Sequence, residues 1–183
     1  MIRPDRLTIK AQEAFREAGE EARRRGNPVV NDAHLFFTLL LQEDSVVRPL
    51  LQKAGLNLTE LQEELERELA RFPRQEGSTS EPTLSRELER VFDRAEAQAK
   101  TLGDAYVSTE HLLIALAEER GSAARQILSA HSISAADLLE ALKEIRGSHR
   151  VTNQSPEDQY QSLERYTRNL TDAARAGKLD PVI

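Results

Sequence analysis

Laid over itself at an offset of 77 residues, the sequence aligns Leu7 to Leu69 with Leu84 to Arg146 without a gap. Leu7 and Thr8 fall on Leu84 and Ser85, Phe15 on Phe92, Ala18 on Ala95, Ala22 on Ala99, Gly26 on Gly103 and Val30 on Val107. The register continues through His34 and Leu35 on His111 and Leu112, Leu39 on Leu116, Ser45 on Ser122, Leu56 on Ile133, and Leu61 and Leu65 on Leu138 and Leu142. Apolar matches at helical spacing arise by convergence. Matched glycines, caps and histidines in one register do not, so the chain carries two copies of one unit.

Each copy reads as four helices. Phe15, Ala18 and Ala22 recur at helical spacing and stop at Gly26, where a positive φ costs little. Asn31 caps a second helix carrying Leu35 and Leu39, and a third runs from about Ser45 through Val47, Leu50 and Leu51 to Gly55. The fourth opens on Asn57-Leu58-Thr59-Glu60, a capping-box pattern, and carries Leu61, Leu65 and Leu69. The second copy repeats the order, with starts near Leu84, Ser108, Ser122 and Ser134 and stops near Gly103, Gly121, Ser132 and Gly147. Between the copies, Pro73 to Pro82 has the Gly, Ser and Pro content of a connector. A polar stretch from Gly147 to Pro156 leads to an amphipathic segment with Tyr160, Leu163, Tyr166 or Thr167, and Leu170 on one face. The expected organisation is a domain over residues 1–147 (repeat one 5–71, linker 72–82, repeat two 83–146), then a linker and helix over 148–183.

Charged residues make up 31% of the chain, and Ala, Leu, Glu, Arg and Gln dominate its long stretches, which makes it all-α. With no cysteine there is no disulfide framework, thiolate metal site or cysteine nucleophile, and a reducing cytoplasm fits best. The longest apolar run, Leu35 to Leu41, is far short of the roughly 20 residues of a membrane helix. Net charge is −6 with the acids spread along the chain, so no stripe is set up to neutralise phosphates and nucleic acid is not an expected partner. Arg23-Arg24-Arg25 sits where the first helix ends and complements its dipole. The glycines are scattered singly, Gly177-Lys178 is followed by Leu179, and no G-x-S-x-G or H-E-x-x-H occurs, so neither nucleotide cofactor nor catalytic residue is expected. His34 and His111 occupy equivalent positions in the first turn after a cap, where each helps close a helix start; the repeat supplies no third ligand for a metal.

The duplicated four-helix unit resembles the Clp N-terminal domain family, which stands at the front of the ClpA, ClpB and ClpC ATPases. Three stretches resemble the ClpB branch: Asp5-Arg6-Leu7-Thr8, Phe72-Pro73-Arg74-Gln75-Glu76-Gly77, and Leu163-Glu164-Arg165-Tyr166-Thr167-Arg168-Asn169-Leu170-Thr171. Gly177-Lys178-Leu179-Asp180-Pro181-Val182-Ile183 is similar to the family's lead-in to a first AAA+ module. The resemblance implies a non-catalytic module of a cytoplasmic, hexameric, ATP-dependent disaggregase. Such a module captures unfolded or aggregated polypeptide for the pore of the ATPase ring, with an Hsp70-type chaperone system as partner. The alternative within the family is a ClpC- or ClpA-type domain that docks an adaptor for a protease.

By match to the family's motif, substrate engagement falls on Thr8, Asp104 and Glu110, expected at one exposed rim. Each position also has a structural reading: Thr8 as a helix-start hydroxyl, Asp104 as a turn residue after Gly103, and Glu110 as an anion in a first turn. Thr8 aligns with Ser85 of the second copy, and the counterparts of Asp104 and Glu110 in the first copy are the uncharged Asn27 and Ala33. Positions 98 and 111, where relatives often carry leucine, are Gln98 and His111.

Overall fold

A computed structural model describes residues 2–156; the amphipathic segment around Tyr160 to Leu170 and the lead-in at Gly177 to Ile183 lie outside the described residues. A 3₁₀ turn at Pro4–Arg6 precedes α1 (Ile9–Arg24), and α2 (Asp32–Leu41), α3 (Val47–Lys53) and α4 (Leu58–Ala70) complete the first repeat. The second comprises α5 (Arg86–Thr101), α6 (Thr109–Glu118), α7 (Ala123–Ala130) and α8 (Ala135–Arg146). Two short strands, β1 (Val29–Val30) and β2 (Thr83–Leu84), pair in parallel. The chain is all-α in architecture.

The starts and stops fall where local chemistry puts them. Thr8, Asn57, Ser85, Ser122 and Ser134 each accept a hydrogen bond from a first-turn backbone N–H. Gly26, Gly55, Gly103, Gly121 and Gly147 all take positive φ, and Ser132 takes 61°. One start differs: α3 begins at Val47 and not at Ser45, whose hydroxyl accepts from the Val47 N–H at 3.2 Å. The arginine cluster at the end of α1 is consumed by ion pairs, Arg24 and Arg25 with Glu21 and Arg23 with Glu81.

α2 and α6 lie at the centre and are buried on almost every face, which suits their near-continuous apolar sequences. α1 and α5 pack on them through alanine stripes, Ala11, Ala14, Ala18 and Ala22 in one and Ala95 and Ala99 in the other. The repeats exchange their edges reciprocally. Val30 pairs with Leu84, and Val107 with Leu7, so each repeat's short extended segment holds the residue entering the other repeat's first helix. Accordingly the Thr8 N–H donates to Val107 O at 2.9 Å and the Ser85 N–H to Val30 O at 3.0 Å. Leu39 and Leu116 are both fully buried, in equivalent places. Phe15 and Phe92 meet edge to face, 4.9 Å between centroids at 87°. They are not equally enclosed: Phe92 is buried, whereas Phe15 is only partly buried and borders a groove.

Candidate functional site

Thr8, Asp104 and Glu110 all lie beneath the surface, and the two acids share one cluster. Thr8 is fully buried; its hydroxyl accepts from the Ala11 N–H at 3.2 Å and caps α1. The Asp104 side chain is wholly enclosed. It takes a two-pronged contact from Arg146, Nη1 to Oδ2 at 2.9 Å and Nη2 to Oδ1 at 2.5 Å, and a further hydrogen bond from the Val151 N–H at 2.9 Å. Glu110 is fully buried too, with Oε1 3.8 Å from Arg146 Nη1 and neither oxygen hydrogen-bonded among the described residues. Asp104 and Glu110 are thus neighbours, as expected, with Arg146 between them. The exposed rim is corrected: a carboxylate in this position is held by a guanidinium and a backbone amide, and Thr8 is spent on its helix start.

His111 completes the cluster. Its Nδ1 accepts from the Ser108 N–H at 2.8 Å, so Nε2 carries the proton and donates to Asp104 Oδ2 at 2.7 Å. Burial by itself would raise the Asp104 carboxyl, but the His111, Arg146 and Val151 hydrogen bonds outweigh it and hold the group well below the usual aspartate range. In repeat one, His34 Nδ1 accepts from the Asn31 N–H at 2.9 Å and Nε2 donates to Asn27 Oδ1 at 2.9 Å. With an amide facing it in place of a carboxylate, burial and the Arg25 charge push His34 down to about 4. Both histidines close capping boxes, and no group of three potential ligands for a metal occurs among the described residues.

The apolar lining lies elsewhere, over the N-terminal half of α1. A groove of about 750 Å³ is formed by Ile2, Pro4, Leu7, Ile9, Phe15 and Leu84. Its rim carries Glu13, Glu89 and Asp93 against the single cation Arg16. Ile9 stands out at 48% exposed, one of two large apolar side chains so displayed among the described residues. Gln98 and His111 do not line it, and His111 is buried in the Asp104 cluster. The groove takes residues from the first turn, α1, the entry to repeat two and α5, so no single stretch announced it. The one local signal was Ile9, apolar but off the alanine stripe of α1.

Residues 6–131 match the model of the Clp repeat (R) N-terminal domain. The chain belongs to the Clp N-terminal domain family. It is 42% identical over 176 residues, 96% of its length, to the chaperone protein ClpB of Mycobacterium tuberculosis. It spans about a fifth of the length of such curated relatives, 21% in this case. Among solved structures, the Hsp104 N-terminal domain from Candida albicans superposes with a TM-score of 0.74 at 21% identity, covering 82% of this chain and 98% of that one. A complex of the ClpV N-domain with a VipB peptide superposes with a TM-score of 0.64 at 20% identity, covering 76% and 86%. These two share the fold. No helix among the described residues is long and apolar enough to cross a membrane.

Proposed function

We propose that this chain is the substrate-engaging N-terminal domain of a ClpB-type AAA+ disaggregase. It binds exposed apolar segments of unfolded or aggregated polypeptide in the groove over α1 and passes them to the pore of a hexameric ATPase ring that works with an Hsp70-type partner in the cytoplasm. The chain itself carries no catalytic group and no cofactor.

The groove carries this reading. An open apolar trough with Ile9 displayed and an acidic rim suits an extended segment that places apolar side chains in the trough and Lys or Arg at the edge. Handing a client onward requires weak binding, and micromolar affinity corresponds to roughly −8 kcal/mol. Thr8 enters as a support, setting the turn between Leu7 and Ile9, both in the groove, while Asp104 and Glu110 are buried and do not line it. The ClpV N-domain, of the same fold, is seen with a VipB peptide, which supports the reading.

The test is an NMR titration of the chain with a permanently unfolded, mixed apolar and basic client, in wild type and Ile9→Ser. Shifts centred on Ile2, Leu7, Ile9 and Leu84, with at least a tenfold loss of affinity in the variant, are expected. Shifts confined to another face, or a variant that binds as wild type does, overturn the reading. Binding that requires a folded adaptor in place of the unfolded client selects the adaptor-docking alternative.

A further inference from the structure

The offset of 77 residues also superimposes two chain exits. In repeat one the segment leaving α4 crosses the end of α1: a Cβ on Gly26 would lie 3.9 Å from Gln75 O, and the Gln75 N–H donates to Gly26 O at 2.8 Å. In repeat two the segment leaving α8 crosses the end of α5, where a Cβ on Gly103 would lie 3.7 Å from Arg150 Nε. The same peptide group is gripped in both. Asn27 Nδ2 donates to Pro73 O, on the carbonyl side of the 73–74 bond, at 3.0 Å. Asp104 Oδ1 accepts from the Val151 N–H, on the amide side of the 150–151 bond, at 2.9 Å.

The grips differ in strength. Among the described residues Asn27 is backed by His34 alone; Asp104 is backed by His111 and Arg146, which stands where repeat one has Leu69. The difference matches the course of the chain beyond each grip. The linker after repeat one is pinned again within ten residues by the β1–β2 pairing. After repeat two, residues 148–156 are secured by Val151, fully buried, with Val151 O accepting from the Ala105 N–H at 2.8 Å, and by Gln154 O accepting from the Ile9 N–H at 2.8 Å.

We propose that Asp104 and Arg146 are positioning residues of an exit clasp, which holds residues 148–156 rigidly on the domain, next to the groove. On this account Asp104 and Glu110 act on the strap and not on the client: Arg146, shared between their carboxylates, orders the grip on Val151. The clasp stands whether or not the groove takes polypeptide; its consequence for delivery, a groove held fixed relative to residues 148–156, rests on the function proposed above.

The test rewrites repeat two in the residues of repeat one: Asp104→Asn, Glu110→Ala and Arg146→Leu together, which the fold accommodates at 27, 33 and 69. The chain has no cysteine, so Glu96→Cys and Asn153→Cys, both exposed, take a clean pair of spin labels. Wild type should give one narrow distance distribution. The triple variant should give a broad one and should speed amide exchange at Ala105 and Val151 at least tenfold, with Leu39 and Leu116 still protected and affinity for the unfolded client within twofold of wild type. A distribution that stays narrow overturns the clasp. So does a tenfold loss of client affinity with the strap still protected, which returns these residues to direct contact. If the triple variant does not fold, Val151→Pro removes the gripped N–H and leaves the cluster intact. The same broadening is expected of it, and an unchanged distribution again overturns the proposal.

Discussion

At position 42 repeat one has a glutamine that donates to Lys10 O, while its counterpart Glu119 binds Arg90 and Arg94, each at 2.6 Å. At 27 and 104 the contrast recurs, a neutral amide on His34 against a carboxylate on His111 and Arg146. At these two positions repeat one therefore uses neutral hydrogen bonds where repeat two uses ion pairs. Neutral networks cost less to desolvate, whereas buried charges are costly when unpaired and directional when paired. One helical frame thus tolerates both solutions.

The sharpest way to break this comparison is to remove one charge alone. Arg146→Leu leaves Asp104 and Glu110 buried without a cation and should cost about 3 to 5 kcal/mol, whereas Asp104→Asn and Glu110→Ala together with Arg146→Leu should recover most of that loss. Urea melts of both variants decide it, and equal losses would mean that repeat two does not accept the neutral solution.

Where the repeats are alike, effects should be alike. Leu39→Ala and Leu116→Ala, in equivalent fully buried sites, should each cost about 2 to 5 kcal/mol. Phe92→Ala should cost more than Phe15→Ala, because Phe15 keeps one side on the groove. Losses in the order opposite to burial would show the pseudo-symmetry to be energetically empty.

A smaller effect lies in the pH dependence, where two groups of repeat one oppose each other. Asp32 caps α7 across the repeat interface, its Oδ2 accepting from the Ala124 N–H at 2.9 Å, and burial raises it to about 6. Its folded form holds a proton that the unfolded chain has released, so this group's stability contribution falls as pH rises from the ordinary aspartate value to about 6. His34, lowered to about 4, does the reverse: the unfolded chain takes up the proton first, and stability falls as pH drops from 6.5 towards 4. The two oppose each other across that interval. Asp32→Asn should uncover the His34 slope, about 2 to 3 kcal/mol lost between pH 6.5 and 4. Below this range Asp104, held low, adds a loss as pH falls through the ordinary aspartate value, and Asp104→Asn should abolish that part. Melts at stepped pH that show no slope in Asp32→Asn would remove His34 from the balance.

Much of this molecule was legible in its residues. Ser85, Ser108, Ser122 and Ser134 each mark a helix start, and Gly26, Gly103 and Gly147 each mark an end, because capping and positive φ are decided within a few residues. The cluster was half legible. Asn27 against Asp104 and Ala33 against Glu110 stand out in the alignment, and Leu69 against Arg146 is the third member of the set, an arginine in an apolar column.

The sequence by itself determined the helices, their caps, the duplication and the family, since each rests on interactions local to the chain or on a pattern repeated along it. Tertiary structure alone decided which acids are buried, where the apolar groove opens and how residues 148–156 are held. Asp104 meets Arg146 across 42 positions, and Ile9 meets Gln154 only when both repeats have closed. Burial of a charge is a property of everything packed around it, and no window of sequence contains that surrounding.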